Sequence, residues 1–323
     1  MRRSVARTSM PVHPILTADI GGTHARFLQG TADGHGKPAD FDSGDYPDVA
    51  ALVQAGLERL GMQARGSDAV LSLAGPIRHG RVTLTNLSWV IDAEALRQRF
   101  GFRHVALLND LEAAAWCLAS EPPAPSLVLR DGVAEAGARH AVVSASTGLG
   151  TAYWTHFDGA LQVQAAEAGH TGFAPNDDWQ VELLLSLQKR YGERVSWERV
   201  LSGSGLSLLE AHLRRGQATD APDVVRRAKA GETAALTTVR RYCQLLGMFA
   251  GDLALSAPAT GGIWFMGGVV TGLGTLLDRE EFLRGFDTKG RLSAQVAKLP
   301  LRVSWSDDLG IRGAWHAAQT LFQ

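Results

Sequence analysis

Two cysteines in 323 residues, Cys117 and Cys243, are too few for a multi-cysteine metal site. In a reducing compartment they are most simply buried thiols. No uninterrupted apolar run approaches the length of a membrane span. An excess of one charge is missing as well. Lys and Arg number 32 against 33 Asp and Glu, for a net charge of −1, so no basic field draws nucleic acid or an anionic membrane surface. Arg2, Arg3 and Arg7 make the N-terminus basic, but no apolar signal-peptide core follows before Pro11 and Pro14, and Met1 to His13 reads as a loose tail. There is no low-complexity tract, no Walker-type Gly-x4-Gly-Lys-Ser/Thr motif and no full Gly-x-Gly-x-x-Gly after a strand. These absences lead to an expectation of a cytoplasmic protein whose partners are small molecules.

What is present is an ordinary globular composition, 45% hydrophobic and 20% charged, in a chain long enough for two cores. Ile15 to Asp19 is a short apolar strand, Gly21-Gly22-Thr23 a turn, and Ala25 to Gln29 a returning strand. Asp33 to Asp45, rich in Gly, Asp and Pro, is expected to be loop. Pro47 should open a helix with Val49, Leu52, Val53, Leu57 and Leu60 on one face and Gly61 at its end. Ala69 to Ala74 and Arg81 to Thr85 read as strands, and Asp92 can cap a helix from Ala93 to Phe100. Val105 to Leu108 then ends a buried strand, and Asn109-Asp110 stands directly before the helix-forming run Leu111 to Trp116. This alternation argues an α/β fold with a mixed sheet.

Glu121-Pro-Pro-Ala-Pro125 ends that helix and marks a boundary nearby. Beyond it the opening of the chain recurs. His140 to Ser144 is a strand, Ser146-Thr-Gly-Leu-Gly150 a turn and Thr151 to His156 a second strand, a hairpin about 125 residues after the first. From Trp179 the chain is mostly helical, with Glu232 to Ala257 the longest helix. Ile263 to Met266 is a buried strand ending in Gly267-Gly268, Leu301 to Trp305 a last strand, and Leu309 to Phe322 a C-terminal helix.

Several of these junctions suit a phosphate and sugar site. A carboxylate between the carboxyl end of a strand and a helix start sits where open α/β sheets place ligands, and the helix amino end favours its ionised form. Asn109 and Asp110 serve equally well as simple caps. Glycine turns after strands let backbone N–H groups face phosphate oxygens without a Cβ in the way, and Asp19-Ile-Gly-Gly-Thr23 adds a hydroxyl and a carboxylate suited to magnesium. Ser146 to Gly150 and Gly267-Gly268 offer further close approaches, although any one of them alone reads as a tight structural turn. Glu167-Ala-Gly-His170 lacks an obvious third metal ligand, so its side chains are better suited to a polyhydroxylated ligand. Glu198, in Ser196-Trp-Glu, reads first as a capping partner for Ser196 or a solvated helix charge.

Taken in order, Ala18-Asp-Ile-Gly-Gly-Thr-His-Ala-Arg26, Leu84-Thr-Asn-Leu-Ser-Trp89, Leu108-Asn-Asp-Leu111, Ser146-Thr-Gly-Leu-Gly150, Glu167-Ala-Gly-His170, Glu198-Arg-Val-Leu-Ser-Gly203, Phe265-Met-Gly-Gly268 and Asp307-Asp-Leu-Gly-Ile-Arg-Gly-Ala314 resemble the bacterial ATP-dependent glucokinase family. The resemblance covers most of the chain. It implies a two-domain actin-like (ribonuclease H-like) ATPase fold with the active site in the interdomain cleft: a small α/β domain of residues 1–115, completed by the C-terminal helix 308–323, and a large α/β domain of residues 116–307. It implies transfer of a phosphoryl group from ATP to the 6-hydroxyl of glucose, with Asp110 as general base. Asn109, Asp110, Glu167, His170 and Glu198 would hold the sugar. Ala18, Asp19, Ile20, Gly21, Gly22, Thr23, Thr147 and Gly148 would hold the phosphates, with Asp19 serving Mg2+ through water, and Gly267 and Gly268 would flank the adenosine. A homodimer is what the family suggests. Other readings are a kinase for another hexose or an aminosugar, and a sugar-responsive regulator without turnover. Two departures bear on nucleotide affinity: His24 stands where the family usually has Asn, and Ser144-Ala-Ser146 replaces a glycine-richer entry to the second turn.

Overall fold

The computed structural model describes residues 13–31, 34–84, 86–192, 194–216 and 218–322. Of the segment read as a tail, residues 1–12 lie outside the described residues, as does Thr85 at the end of its expected strand. The chain divides into two compact units, one of residues 1–122 with 307–323 and one of residues 123–306.

In the first unit β1 (Ile15–Ile20) is the central strand. It runs antiparallel to β2 (His24–Thr31), with Ile15 opposite Gly30 and Ile20 opposite Ala25. The segment expected to be loop supplies two short strands on β2 instead, β3 (Gly34–His35) and β4 (Ala39–Asp42). Half-buried Ala39 and Phe41 do alternate with exposed Asp40 and Asp42, but the strands are too short to stand out among the Gly, Asp and Pro around them; the β2 edge recruits them through backbone hydrogen bonds. On the other side of β1 lie β5 (Asp68–Leu73) and then β8 (Val105–Asn109), all parallel. Between them β6 (Arg81–Leu84) and β7 (Trp89–Asp92) form a separate antiparallel ribbon; β7 is too short to show its period in sequence.

The helices of this unit begin and end as side-chain chemistry directs. In α1 (Val49–Leu60) the Asp48 carboxylate accepts from the Ala51 N–H at 2.7 Å, so Pro47 precedes the cap instead of opening the helix, and Gly61 closes it in the left-handed region. Asp92 caps α2 (Ala93–Phe100) through the Ala95 N–H. The helix α3 (Asp110–Ser120) buries Leu111, Ala113 to Leu118 and packs on the C-terminal helix α12 (Leu309–Leu321). The two approach at Gly313, where a Cβ would overlap the Ala113 carbonyl oxygen.

The second unit repeats the strand scheme. β10 (His140–Ala145) is central, antiparallel to β11 (Leu149–Phe157), which pairs with β12 (Ala160–Ala166). On its other side run β13 (Gly262–Met266) and β14 (Leu301–Val303), again parallel. Thus β10, β11, β13 and β14 occupy the positions of β1, β2, β5 and β8, and the recurrence of the hairpin motif is a recurrence of a whole sheet topology. An added strand, β9 (Leu127–Arg130), lies antiparallel on β14; it follows the proline cluster and has too few residues to be recognised in sequence.

Helices α4 (Asp178–Tyr191), α5 (Glu198–Leu201), α6 (Gly203–Arg214), α7 (Ala221–Lys229), α8 (Thr233–Ser256), α9 (Gly268–Leu273), α10 (Arg279–Asp287) and α11 (Ser293–Val296) complete the unit. One core cluster takes in buried residues of α8, its neighbouring helices and the sheet, with Tyr242 wholly buried and its hydroxyl donating to the Leu201 carbonyl at 2.6 Å. Cys117 and Cys243 are buried free thiols, each pushed up to about 12 chiefly by burial. Among the described residues no helix is long and apolar enough to cross a membrane.

Candidate active site

In the first unit the candidate residues gather at the carboxyl ends of β1 and β8. Asp19 lies near the end of β1 between Ala18 and Ile20, whose side chains point into the core, so only their backbone can serve a ligand. The following turn is tight: Gly21 N–H donates to the His24 carbonyl at 2.9 Å, and Ser43 Oγ donates to the Gly21 carbonyl at 2.9 Å. Gly22 faces Asn86, whose Nδ2 would stand 2.9 Å from a Cβ there. The His24 ring is 3.0 Å from the Asp42 carboxylate, both exposed, so the side chain at the departure position is engaged on the rim of the sheet.

Asp19 itself is held from two sides. Ser72 Oγ on β5 donates to Oδ1 at 2.8 Å, and Oδ2 would be 2.5 Å from a Cβ at Gly310, in the first turn of α12. A larger residue at 310 would displace the carboxylate, and the helix amino end favours its negative charge. Burial pushes the Asp19 carboxyl above its ordinary value, against the opposing effects of the Ser72 hydrogen bond and the Arg26 charge. Ser72, a hydroxyl inside a buried apolar strand, is a functional neighbour that sequence reasoning missed; the lone polar residue in that run was its only signal.

At the end of β8, Asn109 and Asp110 divide the work that sequence left open between them. Asn109 is the cap: its Oδ1 accepts from the N–H groups of Leu111 at 3.0 Å and Glu112 at 3.4 Å, while its Nδ2 donates to the Gly75 carbonyl at 3.2 Å. Asp110 is the first helical residue. Its Oδ1 accepts from the Leu111 N–H at 2.9 Å, and its pKa is raised to about 6 by burial first and by the Asp19 charge second.

The remaining candidates belong to the second unit. The β10–β11 turn is closed by Ser146 N–H donating to the Gly148 carbonyl at 2.8 Å, and Gly203 N–H donates to the Ser146 carbonyl at 2.8 Å. Gly267, at φ +98°, stands where a Cβ would be 2.5 Å from the Ala145 carbonyl oxygen and 2.7 Å from Ser144 Oγ, so both the conformation and the approach require glycine. Thr147 and Gly268 line a cavity of about 910 Å3 together with Ser204 and Ser207 of α6 and Val225 and Lys229 of α7. Its size suits a nucleoside. The α6 and α7 residues were missed in sequence; only the Ser202-Gly-Ser-Gly205 run hinted at them.

Glu198 does not cap Ser196. Its Oε2 accepts from the Leu149 N–H at 3.1 Å and would be 2.8 Å from a Cβ at Gly148, so this carboxylate backs the glycine turn directly. His170 lies between the acids, Nδ1 3.9 Å from Glu198 Oε1 and Nε2 3.6 Å from Glu167 Oε2. Glu167, His170 and Glu198 therefore converge, and His170 and Glu198 line a recess of about 250 Å3 with Arg194, Ser196 and Arg199.

The family described as Glucokinase matches residues 16–321. A glucokinase of Caulobacter vibrioides is 35% identical over 309 residues, which is 93% of each chain. Among solved structures, a glucokinase from an Antarctic psychrotroph is 31% identical, with a TM-score of 0.81 over 95% of this chain and 99% of that one. A Balamuthia mandrillaris glucokinase in complex with glucose, at 20% identity, shares the fold with a TM-score of 0.77, covering 98% and 96% of the two chains.

Proposed function

The chain belongs to the glucokinase family, and from that premise we propose that it transfers the γ-phosphoryl group of ATP to the 6-hydroxyl of D-glucose, yielding glucose 6-phosphate and ADP. The observation that carries this reading is Asp110: a carboxylate at a strand–helix junction whose pKa, about 6, is close to the working range of a general base. Asp110 accepts the proton of the 6-hydroxyl as that oxygen bonds to the γ-phosphorus and the bond from phosphorus to the β,γ-bridging oxygen breaks. The electron pair leaves with ADP. Phosphoryl transfer asks little else of the protein beyond positioning and charge neutralisation.

The positions of the other residues support distinct tasks. Asn109, Glu167, His170 and Glu198 hold the sugar hydroxyls, and an epimer would leave one of these polar groups unpaired. The turns Gly21–Thr23 and Thr147–Gly148 face the phosphates, and the 910 Å3 cavity takes the adenosine, with Gly267 and Gly268 beside it. Asp19 suits Mg2+ held through water: it is a half-buried carboxylate with one oxygen fixed by Ser72, and its charge and that of Asp110 repel each other, a strain that a divalent cation relieves. The bound ion would neutralise phosphate charge. Action as a homodimer in the cytoplasm belongs to the same proposal.

ADP release across a panel of hexoses and aminosugars tests the substrate. Glucose should give the highest kcat/KM; a preference for another sugar, or no turnover with any, overturns the reading. Within the site, Glu167→Gln and Glu198→Gln keep shape but weaken charge-assisted hydrogen bonds worth about 1.5–3 kcal/mol. Each should raise the glucose KM roughly 10- to 100-fold, far more than it raises the ATP KM. Equal effects on both substrates would return these residues to a structural role.

A further inference from the structure

One buried charge cluster stands outside the residues assigned above. Glu210 of α6 is fully buried, and its carboxylate accepts from Arg227 Nη2 of α7, from Thr219 Oγ1 at 2.6 Å and from Arg214 Nη1 at 3.4 Å. The Arg227 guanidinium, only 13% exposed, also donates from Nε to Asp223 at 2.8 Å, from Nη1 to Glu232 at 2.8 Å and from Nη2 to Thr219 at 3.1 Å. One planar group thus ties α6, the segment before α7, α7 itself and the cap of α8. Arginine suits this task because its donors lie in a rigid fork.

The cluster adds little to stability by general expectation. A buried ion pair loses in desolvation about what it gains in attraction, and an apolar pair of similar volume often serves the fold as well. Helix α7 already has an apolar anchor in Val224 and Ala228, both buried. What the ion pair supplies is a directional distance between α6 and α7. Those two helices are also walls of the 910 Å3 cavity, Ser204 and Ser207 on α6 and Pro222 and Val225 on α7. Ser207 is one helical turn before Glu210, and Val225 two residues before Arg227.

We infer that Glu210 and Arg227 are positioning residues for nucleotide binding, a brace that sets the spacing of the α6 and α7 walls around the base and ribose. This rests on the reading of the cavity as the adenosine site. The sugar-binding acids Glu167 and Glu198 make none of these hydrogen bonds, so a loosened brace acts chiefly on the ATP side.

Steady-state kinetics with ATP and glucose varied separately test it. The variants are Arg227→Lys, which keeps the charge but not the fork, Glu210→Gln, and the double variant Glu210→Leu with Arg227→Met, which replaces ions by apolar volume. Each should raise the ATP KM about tenfold, below the roughly hundredfold loss that a displacement of about 1 Å can cause, and leave the glucose KM close to wild type. The double variant should melt near the wild-type temperature. An unchanged ATP KM in these variants, or ATP and glucose KM values rising together, overturns the brace. Gly272→Phe separates this from the underlying reading. Gly272 lines the cavity with open space at its Cβ position, so Phe fills the cavity without a backbone clash. If filling leaves the ATP KM unchanged, the adenosine assignment fails and the brace with it. If filling raises the ATP KM and the brace variants do not, the brace alone fails.

Discussion

Asp110→Asn is expected to lower kcat by about 10²–10⁴-fold while leaving the fold and most of the glucose affinity in place. The amide is nearly isosteric and still accepts a hydrogen bond, but it cannot accept a proton. Because Asn109 is the residue that caps α3, exchange at position 110 does not uncap the helix. A variant retaining more than about a tenth of wild-type kcat, measured at saturating ATP and glucose, would remove Asp110 from the role of base.

The raised pKa adds a signature that a purely structural residue would not show. The base works ionised, so kcat/KM in the wild type should fall about tenfold per pH unit below about 6. Stability runs the opposite way. The folded-state pKa lies above the ordinary value of 3.8, so the group's contribution is fully present below about 4 and is lost as pH rises through about 6. Two pKa units correspond to roughly 3 kcal/mol, the order of the cost of keeping Asp110 ionised in its buried setting and beside Asp19. Asp110→Asn escapes that cost. Its melting temperature should match wild type near pH 4 and exceed it at pH 8, a gain in stability where activity is lost. A variant less stable than wild type at pH 8 would show that the carboxylate is not held at a cost.

Gly313→Ala should produce the largest loss of stability. The added Cβ overlaps the Ala113 carbonyl oxygen, which is backbone and cannot rotate away, so α3 and α12 must separate. Overpacking of this kind costs about 1–3 kcal/mol and sometimes more, and with backbone on the receiving side the upper end applies. Thermal unfolding should shift down by about 10 °C, taking roughly 2–4 °C per kcal/mol for a protein of this size. A drop of less than about 2 °C would show that the helices accommodate a methyl group freely. The consequence reaches the site, because α12 carries Gly310 against the Asp19 carboxylate. The ATP KM of Gly313→Ala should therefore rise at temperatures where the variant is still folded.

Local chemistry determined much of this protein from sequence alone. The caps at Asp92 and Asn109, the glycine ends at Gly61 and Gly101, and the buried strands β1, β5, β10 and β13 each follow from neighbouring residues, since capping and side-chain period act over a few positions, whereas β8, expected to be buried, is a half-buried edge strand. The order of the motifs carried the family. Tertiary structure alone decided what depends on residues distant in the chain. It made strands of 34–35 and 39–42, which are too short to stand out from their loop-like surroundings and are recruited by the β2 edge. It brought Ser72 and Gly310 to Asp19 across 53 and 291 positions, it set Glu198 behind Gly148, and it chose Asn109 over Asp110 as the cap, freeing the carboxylate for a proton. Burial and like charge then moved that carboxylate toward neutrality, an effect of low dielectric and of Asp19 nearby that no spacing within Leu108-Asn-Asp-Leu111 can express.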